Sequence, residues 1–224
     1  MRNTFLILSI IVAVAVGCQR HSDTMTFSGT LEMTEHQLGA KTAGRISSIA
    51  IAEGDQVKAG QVLAVLDRYE QNKRDLERAQ ALLAQGGAKM QDVEYAQLAL
   101  EDQQVVSPID GIVLVKVRQA GEMTSAGTAV VVVGDMKDQW VKVFVPEGYI
   151  NKVRLGQAAS LSFDGLSRTY QGKVSFIATK AEFTPRNVQT PEERVTQAFA
   201  VKVKVDAADM PAHAGVAVDV AFAQ

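Results

Sequence analysis

The sequence predicts a mainly β fold: a small β-sandwich written in two halves, an α-helical hairpin inserted between them, and a small β-barrel after the second half. Three observations carry this expectation. The stretch "AGRISSIAIAEGDQVKAGQVLAVLD" (residues 43–67) places glycines at Gly44, Gly54 and Gly60, and "IDGIVLVKVRQAGEMTSAGTAVVVVGD" repeats them at an offset of 67 as Gly111, Gly121 and Gly127. Between the copies lie the 37 charged, alanine-rich residues 68–104. Downstream, several short apolar runs are separated by turn signals, the pattern of a small barrel.

Each copy reads as short strands. "RISSIAIAE" alternates imperfectly through Ile46, Ile49 and Ile51, "QVLAVLD" is a compact buried run, and "GIVLVKVR" and "TAVVVVGD" answer them in the second copy. The six glycines mark the turns of the repeat, where positive φ is readily adopted. Either half alone leaves an apolar face in water, so the halves must pair. The segment between them therefore leaves the sandwich and returns to it.

Within that segment, Tyr69, Leu76 and Leu83 recur every seven residues, with Ala79 between them, as in a coiled-coil helix. Gly86 and Gly87 end this helix, and Val93, Ala96 and Leu100 rebuild an apolar stripe after the break. Two antiparallel helices of about 18 residues each, reaching roughly 27 Å, follow from that reading. Pro108 then returns the chain to strand.

From residue 139, "WVKVFVPEGYINKVRLGQAASLSFDG" reads as strand, helical turn and strand, with Trp140 in the core. "YQGKVSFIAT", "FAVKVKVD" and "GVAVDVAFA" add strands, and Phe199, Val201, Val203 and Val205 fall on one face. Residues 182–196, with Pro185 and Pro191, read as a long loop. The N-terminal "TFSGTLEMTEHQLGA" adds a strand beside the C-terminal one, which brings both termini to one end.

The N-terminus is separate. After Arg2, residues 5–17 form an apolar or small run that spans only roughly 20 Å as a helix, short of the ~30 Å needed to cross a bilayer. It reads as a secretory signal. Ala15, Val16 and Gly17 before Cys18 resemble a bacterial lipobox, which implies cleavage at residue 17 and acylation of Cys18. "AVA" at 13–15 is an alternative site for ordinary cleavage, and a buried thiol is the plainest reading of Cys18. With one cysteine no intrachain disulfide forms.

Other classes find little support. The net charge of −2 does not suit a nucleic-acid partner. His21, His36 and His213 are isolated, with no metal-ligand spacing, and neither a nucleophile elbow nor a phosphate-cradling loop appears. No catalytic, cofactor-binding or metal-binding residue is expected. A lipoyl or biotinyl carrier presents a lysine on the tight turn between its half-repeats; here that turn is replaced by the helical segment, so the Lys89–Met90 pair sits in the wrong setting.

Taken together, the glycine framework, the inserted hairpin, "SPIDGIVLVKVRQAGE" and "WVKVFVPEGYINKVRLGQ" resemble the periplasmic adaptors, or membrane fusion proteins, of the HlyD type. The resemblance implies a split lipoyl-like (barrel-sandwich hybrid) domain, a ring oligomer of six copies, and a link between an inner-membrane transporter and an outer-membrane channel of the TolC type. Residues 178–205 are similar to a segment of adaptors paired with ABC exporters, which points to an ABC permease; an RND pump, or an envelope lipoprotein scaffold without a transporter, is the alternative. Adaptors that dock TolC-type channels carry an arginine, a leucine four residues on and a serine seven further on. Arg78 and Leu82 match the first two, and Lys89 replaces the serine. The implied organisation is a signal peptide over 1–17, a tether over 18–27, the lipoyl-like domain over 28–67 and 105–135, the hairpin over 68–104 and the barrel over 136–224. The implied location is the periplasm, with a lipid anchor in the inner rather than the outer membrane.

Overall fold

A computed structural model describes residues 25–183, 197–205 and 213–223. The expected signal peptide, Cys18 and most of the tether lie outside these residues, as does 184–196 of the expected long loop.

The first half of the sandwich contains β2 (Gly44–Ile49), β3 (Gln56–Val57) and β4 (Val62–Leu66); the second contains β6 (Gly111–Lys116), β7 (Met123–Thr124) and the start of β8 (Ala129–Pro146). Each strand of the second half begins 67 residues after its counterpart, so the glycine repeat is a structural repeat. The halves exchange strands. β2 pairs with β7 of the other half (Gly44↔Thr124), and β3 pairs with β6 (Val57↔Gly111). The turn bonds are likewise reciprocal: Gly54 N–H donates to the Val113 carbonyl and Gly121 N–H to the Ile46 carbonyl, both at 2.8 Å. The core repeats too, with Ile46, Leu63 and Leu66 in one half answered by Val113, Val130 and Val133 in the other, all essentially inaccessible. Burying each such side chain contributes about 1.5–3 kcal/mol, and neither half could do so alone.

Four of the six repeat glycines are turn residues with positive φ: Gly54 (90°), Gly60 (83°), Gly121 (92°) and Gly127 (78°). Gly44 and Gly111 were expected at turns as well, and the structure corrects this. They open β2 and β6 with ordinary φ, at places where the chain passes close to a neighbouring strand.

β1 (Thr26–Gly39) and β8 are long strands that run side by side through both domains. The barrel closes as a ring of six strands, β1, β8, β12 (Gln197–Val205), β10 (Thr169–Ile177), β9 (Ala158–Phe163) and β13 (Ala217–Phe222), through the β12–β8 pairing. Leu31, Val141, Val143, Val145, Leu161, Val201, Val203, Val220 and Phe222 fill it. The short helix α3, Glu147–Ile150, caps its far end, with Ile150 packed against that core.

Three expected boundaries shift. The tether loses Thr26 and Phe27 to β1, because Thr26 already pairs with Ala221. The boundary between 135 and 136 falls inside β8, where the strand continues and bulges: between Met33↔Gln139 and Glu35↔Gly134, one residue of β1 faces four of β8. Glu182 and Phe183 were expected in the loop, yet they form β11 and pair with Ala198 and Gln197.

Candidate functional site

The inserted segment is an antiparallel pair, α1 (Tyr69–Ala84) and α2 (Met90–Glu101), preceding β5 (Gln104–Val106). At 16 and 12 residues the helices reach only about 24 and 18 Å, less than the 18 residues each and 27 Å expected from sequence. Both ends account for the loss. At the tip, Gly87 N–H donates to the Leu82 carbonyl (2.8 Å) and Gly86 N–H to the Leu83 carbonyl (3.0 Å), with Gly86 at φ 73°. This is the Schellman stop that a glycine C-cap favours. At the base, Leu66 N–H bonds the Gln103 carbonyl, and Gln104, expected as the last hairpin residue, already pairs with Val65.

Val93 is the buried residue of the pair, 9 % exposed, while Tyr69, Leu76, Ala79, Leu83, Ala96 and Leu100 are half-buried. The two apolar stripes therefore supply the interhelical seam, and Asn72 Nδ2 donates across it to the Ala99 carbonyl at 2.7 Å. The tip residues Arg78, Leu82 and Lys89 are all exposed. Arg78 and Leu82 share one face of α1 a turn apart, and Arg78 pairs with Asp75 at 3.1 Å in open solvent, an interaction of little energy. Lys89 is the N-cap of α2. Its side chain has no acceptor to offer the helix; its carbonyl takes the Asp92 N–H at 3.0 Å, and the Asp92 carboxylate takes the Lys89 N–H at 2.8 Å.

The repeat symmetry relates the hairpin to the barrel. The β4–β5 ribbon pairs Val62↔Val106, Ala64↔Val105 and Val65↔Gln104 on its way to the hairpin. Its counterpart, the β8–β1 ribbon, pairs Ala129↔Gly39, Val131↔Leu38 and Val132↔Gln37 on its way to the barrel. Every residue of the second set is displaced by 67 from the first. Hairpin and barrel thus leave the sandwich from its two symmetry-related ends.

The joint between sandwich and barrel was not anticipated. In the β8 bulge, Lys137 Nζ reaches the sandwich residue Asp110 at 2.8 Å, and Asp138 accepts from Thr34 Oγ1 at 2.6 Å and from Lys204 Nζ of β12 at 3.0 Å. The bond from Lys137 holds Asp110 below the usual carboxylate range, and Asp110 raises Lys137 in turn. Thr34 first, then Lys204, lowers Asp138. Trp140, expected in the core, lies on the outer barrel wall: its indole N–H donates to Glu32 Oε2 at 3.0 Å, and Lys202 Nζ lies 4.3 Å from the ring centroid. Strand parity carries the signal. If Val141, Val143 and Val145 face in, residue 140 must face out.

Among the described residues, no cluster of His, Cys, Asp or Glu could hold a metal ion, and no helix is long and apolar enough to cross a membrane.

Residues 35–135 match the family described as RND MFP, barrel-sandwich hybrid domain. The UPF0194 membrane protein YbhG of Salmonella gallinarum is 32 % identical over 316 aligned positions, which cover 97 % of this chain and 96 % of that protein. The chain belongs to the UPF0194 family of membrane proteins. Two solved structures share the fold at low identity. ZneB from Cupriavidus metallidurans has a TM-score of 0.57 at 20 % identity, over 89 % of this chain and 97 % of that one. The membrane fusion protein Spr0693 from Streptococcus pneumoniae has a TM-score of 0.58 at 18 % identity, over 89 % and 98 %.

Proposed function

We propose that this chain is the periplasmic adaptor subunit of a multicomponent efflux or secretion system, lipid-anchored at Cys18. It joins an inner-membrane transporter, an ABC permease, to an outer-membrane channel of the TolC type, and it works as a ring of copies. The observation that carries this reading is the pair of appendages at the two symmetry-related ends of one small sandwich. A protein with a docking helix pair at one end and a barrel beside its membrane tether at the other is built to bridge partners. Its role is assembly without chemistry: several weak contacts on one body raise the effective concentration of pump and channel at each other. Arg78, Leu82 and Lys89 present the channel-facing tip. The short hairpin and Lys89 at the serine position set this tip apart from the pattern described for TolC-type docking, so either the channel it meets differs from those that read the full motif or the hairpin serves mainly adaptor self-assembly.

The test is an affinity pull-down of the tagged full-length protein from cross-linked, detergent-solubilised envelopes, with partners identified by mass spectrometry. Recovery of an ABC permease is expected. An RND pump, which the description of the matched domain favours as the second reading, would keep the adaptor role and change the transporter class. Recovery of neither, beside a control adaptor that captures its own pump, would leave the lipoprotein scaffold.

A further inference from the structure

The barrel end remote from the sandwich gathers an unusual set of exposed side chains. Tyr149 is 45 % and Leu155 68 % exposed, the latter the most exposed of the large hydrophobic side chains among the described residues. Lys152 Nζ lies 5.7 Å from the Tyr149 ring centroid, and Arg154 follows two residues on, exposed like Lys152. Glu147 is the acidic neighbour on the same short helix. The group is fixed in place. Tyr149 meets Phe27 edge-on at 5.8 Å, Phe27 meets Phe222 at 6.0 Å, and Val153 beneath is buried. The turn carrying Leu155 is held by Gly156 N–H to the Val174 carbonyl and by Gln157 Nε2 to the Ala223 carbonyl.

This is also the end at which β1 begins and β13 finishes, with Phe222 N–H bonded to the Met25 carbonyl at 3.2 Å. Met25, the first described residue, therefore lies at the end that carries Phe27 and Tyr149. Only seven residues lie between Cys18 and Thr26, and the eight steps reach at most about 28 Å at full extension.

We propose that this barrel end rests on the surface of the bilayer, with Tyr149 and Leu155 in the interfacial layer and Lys152 and Arg154 against anionic lipid phosphates. The proposal rests on the Cys18 anchor of the preceding reading. Tyrosine settles at the membrane–water boundary because its ring is apolar and its hydroxyl wet, and lysine and arginine bury their stems while keeping the charge among headgroups. The size of the patch favours lipid over protein. One leucine and one tyrosine fall far short of the roughly 800 Å² per partner of a stable protein interface. A surface already tethered to the membrane needs far less, because the tether supplies the local concentration. The contact would set the orientation of the body, and with it the direction in which the sandwich and hairpin extend from the membrane.

The experiment uses acylated, full-length protein reconstituted into vesicles of phosphatidylcholine and phosphatidylglycerol, with and without brominated acyl chains. Native Trp140, on the outer wall toward the sandwich, is the internal control. Leu155→Trp in a Trp140→Phe background is the reporter, its fold checked by circular dichroism. Bromolipid should quench the reporter about twofold or more and leave Trp140 in the native protein unquenched. Adding Lys152→Glu and Arg154→Glu should relieve that quenching. Protein that floats with the vesicles, while its reporter is quenched no more than Trp140, overturns the docking face and leaves the anchor standing. Protein that fails to float overturns the anchor and the docking face together. Tyr149→Trp in the same background repeats the measurement should the first reporter disturb its turn.

Discussion

Gly44 and Gly111 occupy equivalent places in the repeat but differ in what an added methyl group would meet. At Gly111 a Cβ would lie against the Gly134 carbonyl oxygen and 2.7 Å from Val133 Cγ1, whereas at Gly44 the nearest atoms are Asp67 Oδ1 at 3.3 Å and Leu66 Cδ1 at 3.4 Å. The first obstacle is backbone and the second is side chain. Gly111→Ala should therefore lower unfolding stability by about 1–3 kcal/mol through forced strand displacement, and Gly44→Ala by a fraction of that; chemical denaturation of the two variants decides it. Asp138 gives a second prediction at this scale. Its pKa is lowered in the folded state, so its stabilising effect is complete above the unfolded carboxylate value of about 4 and is lost as pH falls through the lower folded value. Asp138→Asn should melt below wild type at neutral pH, by a small margin because the side chain is 43 % exposed and screened by water. Melting curves taken on acidification should converge. A gap that stays constant to about pH 2 would remove the ionised carboxylate from the account.

The hairpin is the element whose length and capping bear most on the proposed docking. Its N-cap on α2 is lysine, whose side chain cannot accept the helix's free N–H groups; the Lys89 carbonyl takes the Asp92 N–H, and the Asp92 carboxylate takes the N-cap's own N–H. Lys89→Ser supplies that acceptor and should stabilise the hairpin by about 0.5–1 kcal/mol. It also completes the arginine–leucine–serine pattern with Arg78 and Leu82. Hydrogen exchange over 85–95 reads the first effect, and cross-linking to an outer-membrane channel reads the second. Unchanged exchange would mean the cap position is already satisfied by solvent. The stripes Tyr69, Leu76, Leu83 and Val93, Ala96, Leu100 could be located from their spacing alone, because a helix of 3.6 residues per turn leaves few ways to hide apolar side chains. The tip was legible too, since Gly86 and Gly87 stop α1, but the base was not. It depends on where Gln104 finds a strand partner, and that partner, Val65, is 39 positions away in the other half.

On the scale of the molecule, hairpin and sandwich should be separable. The sandwich core, from Leu38 and Ile46 to Val130 and Val133, draws no residue from α1 or α2. Leu83→Pro, which costs about 3 kcal/mol or more inside a helix, should unravel the hairpin and abolish export while strand circular dichroism and barrel melting persist. An export-competent Leu83→Pro variant would remove the hairpin from the mechanism. Cys18→Ala tests the other end: the protein should appear in the soluble periplasmic fraction or remain unprocessed. A correctly cleaved variant still held in the membrane fraction would count against the lipid anchor.

The 67-residue glycine offset, the heptad stripe and the alternating valines of 141–145 and 201–205 determined by themselves that the chain has a doubled β unit, an inserted helix pair and further strands. These signals are local, since burial on one face of a strand or helix writes its period directly into the neighbouring residues. Only the tertiary structure decided that the two halves exchange strands, that β1 and β8 run unbroken from sandwich into barrel, and that β12 closes the ring on β8. Those are pairings between residues far apart in the chain, and the hydrogen bonds that make them involve backbone groups that every residue carries. Trp140 is a different case: the alternation of Val141, Val143 and Val145 already puts residue 140 on the opposite face, and the size and apolar character of the indole argued wrongly against that parity.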